Sequence, residues 1–266
     1  MSSVKLKLLL AFNSVSDLLD RAYRNFDVLR SELLLANVSP EHWHRFTVHN
    51  YDRNQLFHSD QHHQRVFPWE KACFDDFFPA PSGRVLVGGA GSGREMSVLM
   101  GMGYRVAGFE PAAALVARGR EILSPEALLG FDVGGYEELV DGRLEVARRG
   151  PFDAVVLGWG SLSHVASAAT RERLFRMLPT LCPDGPVLLS WIEAKPVGKK
   201  RDRLRRGLSR IGSATPSAND SFRPHMGFIH ALDRDELVML AALADREVVR
   251  VGAGPHAVLL PRAHAH

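Results

Sequence analysis

Three glycines at alternate positions, Gly89, Gly91 and Gly93, follow a short apolar run and precede a helical pattern. This spacing removes Cβ atoms that would keep a ligand away from the backbone N–H groups, so the loop can cradle a polar, nucleoside-like molecule. Seventeen residues after Gly93, a second apolar run ends in Glu110. A carboxylate at that place can accept hydrogen bonds from both hydroxyls of a ribose. Spacing also argues against one class of nucleoside. A dinucleotide fingerprint needs glycine at relative positions one, three and six, and the sixth position counted from Gly89 is Arg94.

Further along, the apolar run 152–157 leads into Gly158, Trp159, Ser161 and His164. His164 is a candidate general base, since imidazole titrates near neutral pH; capping the following helix is its other reading. His225 and His230, in FRPHMGFIH, are further candidate bases. Asp153 opens its strand and reads as structural. His58, His62 and His63 are crowded together but lack the intervening glutamate of a zinc-protease helix, so no metal site is expected. The run 199–210 (KKRDRLRRGLSR) carries seven basic residues. It could attract an acidic acceptor or a phosphate backbone, but most such runs are solvated faces. No aromatic residue interleaves to stack on bases, and nucleic acid is not expected as a partner.

Strands alternating with helices must position these residues. Apolar runs at 84–87, 104–109, 152–157 and 186–191 read as buried strands, with 127–133 as one candidate for another between them. Helical patterns follow at 95–102, 112–122 and 171–178, and 247–251 with 256–260 form a closing antiparallel pair. The alternation predicts an α/β fold: a Rossmann-like doubly wound, mostly parallel seven-stranded sheet. Upstream, Val15, Leu19, Ala22, Phe26, Leu29 and Leu33 step by four and three along one helical face. That face either packs on its own domain or forms the seam of a homodimer. The Pro/Ala/Ser stretch 79–82 marks a boundary between an N-terminal helical cap or lid (1–78) and a core (79–266) carrying an insertion at about 193–230.

GxGxG at 89–93, with Glu110 and the later strand order, resembles motif I and the ribose-binding acid of the class I S-adenosylmethionine-dependent methyltransferases. The resemblance spans roughly residues 84–260, with 152–159 similar to the family's fourth strand and 181–191 to its loop and fifth strand. It implies S-adenosyl-L-methionine as cofactor, bound through Gly89, Gly91, Gly93 and Glu110, with Tyr136 and, more weakly, Asp132 on the adenine side. The family usually ends the first strand with an acidic side chain serving the methionine end. Here the strand ends in Gly88, and backbone carbonyls near Gly88 and Gly158 are expected to stand in. Trp159 lies where the methyl group should point. Tyr51, Phe67 and Trp69 offer aromatic faces that suit adenine or a sulfonium cation, although core packing is the commoner fate of such residues. The implied reaction is in-line methyl transfer to an oxygen or nitrogen of a small-molecule acceptor. Rival readings are a nicotinamide-dependent oxidoreductase and a cofactor-binding protein without catalysis.

Composition sets the bounds. The 266 residues are 45% hydrophobic and 24% charged, ordinary for a globular chain. A net charge of +3 and a pI near 9.0 are too weak to imply nucleic acid. Cys73 and Cys182 lack disulfide or metal spacing and read as reduced thiols. The short apolar run near the start lacks a cleavage site, and no segment is long enough to span a bilayer. A cytoplasmic location is expected.

Overall fold

The structure is a computed structural model and describes residues 2–54, 66–196, 198–250 and 254–262. His58, His62 and His63 lie outside the described residues. The centre is a seven-stranded sheet in the order β3-β2-β1-β4-β5-β9-β8. Its strands are β1 (Arg84–Gly88), β2 (Arg105–Glu110), β3 (Leu128–Val133), β4 (Ala154–Leu157), β5 (Val187–Ser190), β8 (Arg246–Arg250) and β9 (His256–Pro261). The first five run parallel, and β9 is antiparallel to both β5 and β8. Helices α4 (Arg94–Gly101), α5 (Ala113–Ile122), α6 (Tyr136–Val140), α7 (Ala168–Leu181) and α9 (Arg234–Leu243) join the strands.

Alternation of side chains along each strand divides the interior in two. Leu86 packs in one core with Phe175, Leu174 and Leu240; its neighbours Val85 and Val87 pack in the other with Met96, Leu99 and Val116. Strands buried on both faces read as continuous apolar runs, which is why they were legible without periodicity. β2 lies on one side of β1 and β4 on the other. The crevice outside the carboxyl ends of β1 and β4 is thus the place where such sheets bind ligands.

Before the sheet come α1 (Ser2–Asn37), α2 (Pro40–Asp52) and α3 (Pro68–Phe77). Pro40 and Pro68 open the latter two helices, where a missing N–H costs nothing. Between β5 and α9 lie α8 (Lys199–Leu208) and a hairpin of β6 (Asp220–Arg223) and β7 (Gly227–His230). Trp43 of α2 packs on Phe222 and Phe228 of the hairpin, and Asp52 accepts the N–H of Ala114 at the start of α5 (3.1 Å).

Two sequence expectations need correction. The stripe Val15, Leu19, Ala22, Phe26, Leu29 and Leu33 does not pack on its own domain: all six residues are exposed, Phe26 at 60%. The helix meets the body through its other face, where Ser31, Glu32, Leu35 and Ala36 are buried. A polar anchor fixes that orientation. Glu32 takes hydrogen bonds from Arg205 (2.6 and 2.9 Å) and Arg201 (2.5 Å), and Arg205 also reaches the carbonyls of Ser217, Ala218 and Asp220. The basic run on α8 is therefore not simply a solvated face, since two of its arginines tie the insertion to α1. Among the described residues, no helix is long and apolar enough to cross a membrane.

Candidate active site

The glycine loop, Glu110 and the loop after β4 surround a cavity of about 460 Å³, within the usual range for a small-ligand site. Gly91 has a φ of +56°, and a Cβ built on it meets nothing within 4 Å. Its open side belongs to the cavity. Gly89 has a φ of +62°, and a Cβ there would lie 2.4 Å from the Cβ of Ser161. The loops after β1 and β4 thus approach more closely than any side chain would permit. Gly88, Gly93 and Gly158 are not among the cavity-lining residues. The Gly88 carbonyl accepts the Gly158 N–H at 2.7 Å, and a Cβ on Gly88 would sit 2.6 Å from the Phe109 ring. These two glycines close the seam between β1 and β4, while Gly93 opens α4 with a φ of +93°.

Glu110 lines the cavity, and its carboxyl accepts the N–H groups of Gly91 (2.9 Å) and Ala112 (3.0 Å). Burial pushes its pKa up to about 7 against those two hydrogen bonds, with the charges of Asp52 and Glu95 adding to the rise. Tyr136 stands edge-on to Phe109 and hydrogen-bonds Ser161 (2.6 Å). Asp132 is used structurally, accepting the N–H of Val146 (2.8 Å), as Asp153 accepts that of Arg84 (2.6 Å).

α2 brings Tyr51 to the cavity, where its hydroxyl lies 2.9 Å from Nε2 of His164. Nδ1 of His164 lies 3.0 Å from the carbonyl of Phe228 on β7. A carbonyl can only accept, so Nδ1 carries the hydrogen, Nε2 offers the lone pair, and Tyr51 donates to it. Burial holds the His164 pKa below that of a free imidazole and pushes that of Tyr51 up to about 12. His225 is exposed and does not line the cavity. His230 is buried away from it, with Nδ1 2.6 Å from Asp220 and Nε2 2.8 Å from Glu236. Burial works to lower its pKa, but the two carboxylates prevail and raise it, and His230 ties the hairpin to α9 between them.

Aromatic rings gather beside the loop. Phe67 stacks on Trp69 (6.2 Å), Trp69 stacks on His256 (4.3 Å), and the half-exposed Trp159 meets Phe67 edge-on. They flank Arg94, which lines the cavity together with Glu95. Sequence reasoning used Arg94 only to reject a dinucleotide and passed over Glu95. A glutamate in the first turn of a helix is ordinary on dipole grounds, and its burial is not visible locally.

Sheet order, glycine loop and acid give the chain the fold of the class I S-adenosylmethionine-dependent methyltransferases. One similar structure is 1,6-didemethyltoxoflavin-N1-methyltransferase of Burkholderia thailandensis, solved with 1,6-didemethyltoxoflavin and S-adenosylhomocysteine (TM-score 0.55, 16% identity, 84% of this chain and 89% of that one). Another is a methyltransferase of Leishmania major (TM-score 0.57, 14% identity, 84% of each chain). A third, from Bacteroides fragilis, holds S-adenosylhomocysteine (TM-score 0.51, 16% identity, 76% of this chain and 81% of that one). In sequence, 92 residues, 35% of the chain, are 37% identical to protein-L-isoaspartate O-methyltransferase of Chlorobaculum tepidum and span 37% of that protein's length. No family profile matches the chain.

Proposed function

We propose that the chain is an S-adenosylmethionine-dependent methyltransferase acting on an oxygen or nitrogen of a small molecule. The observation that carries this reading is the coupling of loop and acid: Gly91 donates to Glu110 beside a cavity that a side chain on Gly91 would enter. Glu110 would hold the ribose hydroxyls, and Gly89, Gly91 and Tyr136 would shape the nucleoside end. When bound, S-adenosylmethionine supplies a methyl group already activated by its sulfonium. The protein then has to position the acceptor, exclude water and take one proton. Tyr51 and His164 are built for that proton. As a hydroxyl acceptor gives its proton to Oη of Tyr51, Tyr51 passes its own to Nε2 of His164, and burial favours the neutral imidazole that can take it. An amine acceptor that is already neutral needs no such step.

In this reading α1 to α3 and the 193–230 insertion form the cap, whose roof over the cavity favours a small acceptor. The exposed stripe of α1 pairs with a second copy of the chain, because a sustained four-three apolar repeat is a coiled-coil seam. The free, buried Cys73 and Cys182 suit a reducing, cytoplasmic setting. Calorimetry with S-adenosylmethionine, S-adenosylhomocysteine and NADH tests the cofactor. Binding of the first two is expected, with loss in Gly91→Val; binding of NADH alone would reverse the assignment. Transfer of labelled methyl to panels of small hydroxyl and amine compounds then identifies the acceptor.

A further inference from the structure

One end of the cavity holds charges that neither the ribose nor the proton step uses. Arg94 and Glu95 open α4 directly after the glycine loop, and Glu70 reaches them from α3. Arg94 meets Glu70 through both terminal nitrogens (2.7 Å each) and Glu95 through one (2.6 Å). All three residues are buried, Glu95 to 3% exposure. Glu70 has a further use, since it accepts the N–H of Phe67 (2.8 Å). Glu95 does not: its Oε1 meets Arg94, and its Oε2 has no hydrogen-bond donor among the described residues, although Glu95 lines the cavity. Among the described residues, two carboxylates share this guanidinium, so with both ionised they bring one more negative charge than it offsets.

Position says what would compensate it. Glu110 ends β2, on one side of β1. Arg94 lies over the ring of Trp159 at 5.9 Å, beyond the end of β4 on the other side. A ligand whose ribose meets Glu110 and which crosses Gly91 therefore reaches Glu95 with its far end. No acidic side chain stands at the end of β1, where Gly88 leaves no room for one beside Phe109. We infer that Glu95, oriented by Arg94, receives the α-ammonium of the cofactor's amino-acid end. This rests on the proposed methyltransferase reading. The arriving cation neutralises the cluster, and an N⁺–H···O⁻ hydrogen bond in a dry site is among the stronger polar contacts a protein offers.

The test compares S-adenosylhomocysteine with 5′-methylthioadenosine, which has the same nucleoside thioether but no amino acid. Calorimetry on the unaltered protein should show tighter binding of S-adenosylhomocysteine. Glu95→Gln should weaken S-adenosylhomocysteine by roughly 10–100-fold and leave methylthioadenosine within about twofold, while Glu110→Gln weakens both. If Glu95→Gln preserves the wild-type ratio of the two affinities, the assignment is overturned. A desamino analogue of S-adenosylhomocysteine, titrated into unaltered protein, asks the same question without any variant. Binding equal to that of S-adenosylhomocysteine would also overturn it. Failure of both nucleosides to bind the unaltered protein would instead remove the methyltransferase reading, and this inference with it.

Discussion

Burial raises the Glu110 pKa to about 7 from an ordinary 4.5, so near neutral pH its carboxyl is divided between two protonation states. The sign of the linkage follows. A raised folded-state pKa means that the folded chain binds the proton more readily. Its stabilising contribution is complete below about 4.5 and lost as pH rises through about 7. Glu110→Gln should therefore melt higher than wild type at pH 8 in the absence of ligand, with the advantage fading at pH 5. The same substitution should weaken S-adenosylhomocysteine by about 1–3 kcal/mol, because charge-assisted hydrogen bonds to the ribose are lost. A melting profile with no pH-dependent difference would show that Glu110 titrates normally. His164 gives a second prediction. His164→Ala should lower turnover of a hydroxyl acceptor by roughly 10²–10⁴-fold with cofactor affinity nearly unchanged. Wild-type turnover should rise with pH through an apparent pKa below 6.5, since burial depresses the imidazole and only its neutral form accepts a proton. A mutant retaining more than about half of wild-type turnover would take His164 out of the proton path.

At the scale of elements, the sheet was legible and the packing of the N-terminal helices was not. Strands β4 and β5 are buried along their whole length and β1 from Val85 onward, so an apolar run and a following glycine or polar loop were enough to place them. Helix α7 runs from Ala168 to Leu181, past both ends of its recognisable pattern and through Pro179. Its limits depend on the core it crosses, which no local pattern reports. The packing of α1 depends on Glu32 and Arg205, 173 residues apart, and no helical period encodes such a pair. The site divides in the same way. Gly91 and Glu110 announced themselves by spacing, whereas Glu95 and the Tyr51–His164 contact arise only from tertiary structure. Burial acts to raise the Glu32 pKa, but Arg205 and Arg201 prevail and hold it below the usual carboxylate range. Arg205→Met removes a buried partner and should cost about 3–5 kcal/mol of stability in urea denaturation. A loss below about 1 kcal/mol would mean that the anchor is dispensable.

At the scale of the whole molecule, α1 is the anomaly. A helix of 36 residues runs about 54 Å at 1.5 Å per residue, and apolar side chains at Phe12, Val15, Leu19 and Phe26 are more than half exposed. On the proposed pairing, light scattering should report twice the 29.4 kDa mass of the chain. The double variant Leu19→Glu, Phe26→Glu should report a monomer that still binds S-adenosylhomocysteine, since neither residue lines the cavity. A wild-type monomer at micromolar concentration would leave the stripe without the partner assigned to it.

The bond between Tyr51 and His164 joins residues 113 apart, one on α2 and one on the loop after β4. Whatever moves α2 away from the sheet breaks it. On the proposed mechanism the base and the roof are therefore one object, and the chain carries an interlock. With α2 lifted, Tyr51 leaves with it, and the relay from acceptor to imidazole is cut while the cavity is open to solvent. With α2 seated, the relay is complete and the acceptor already enclosed lies beside it.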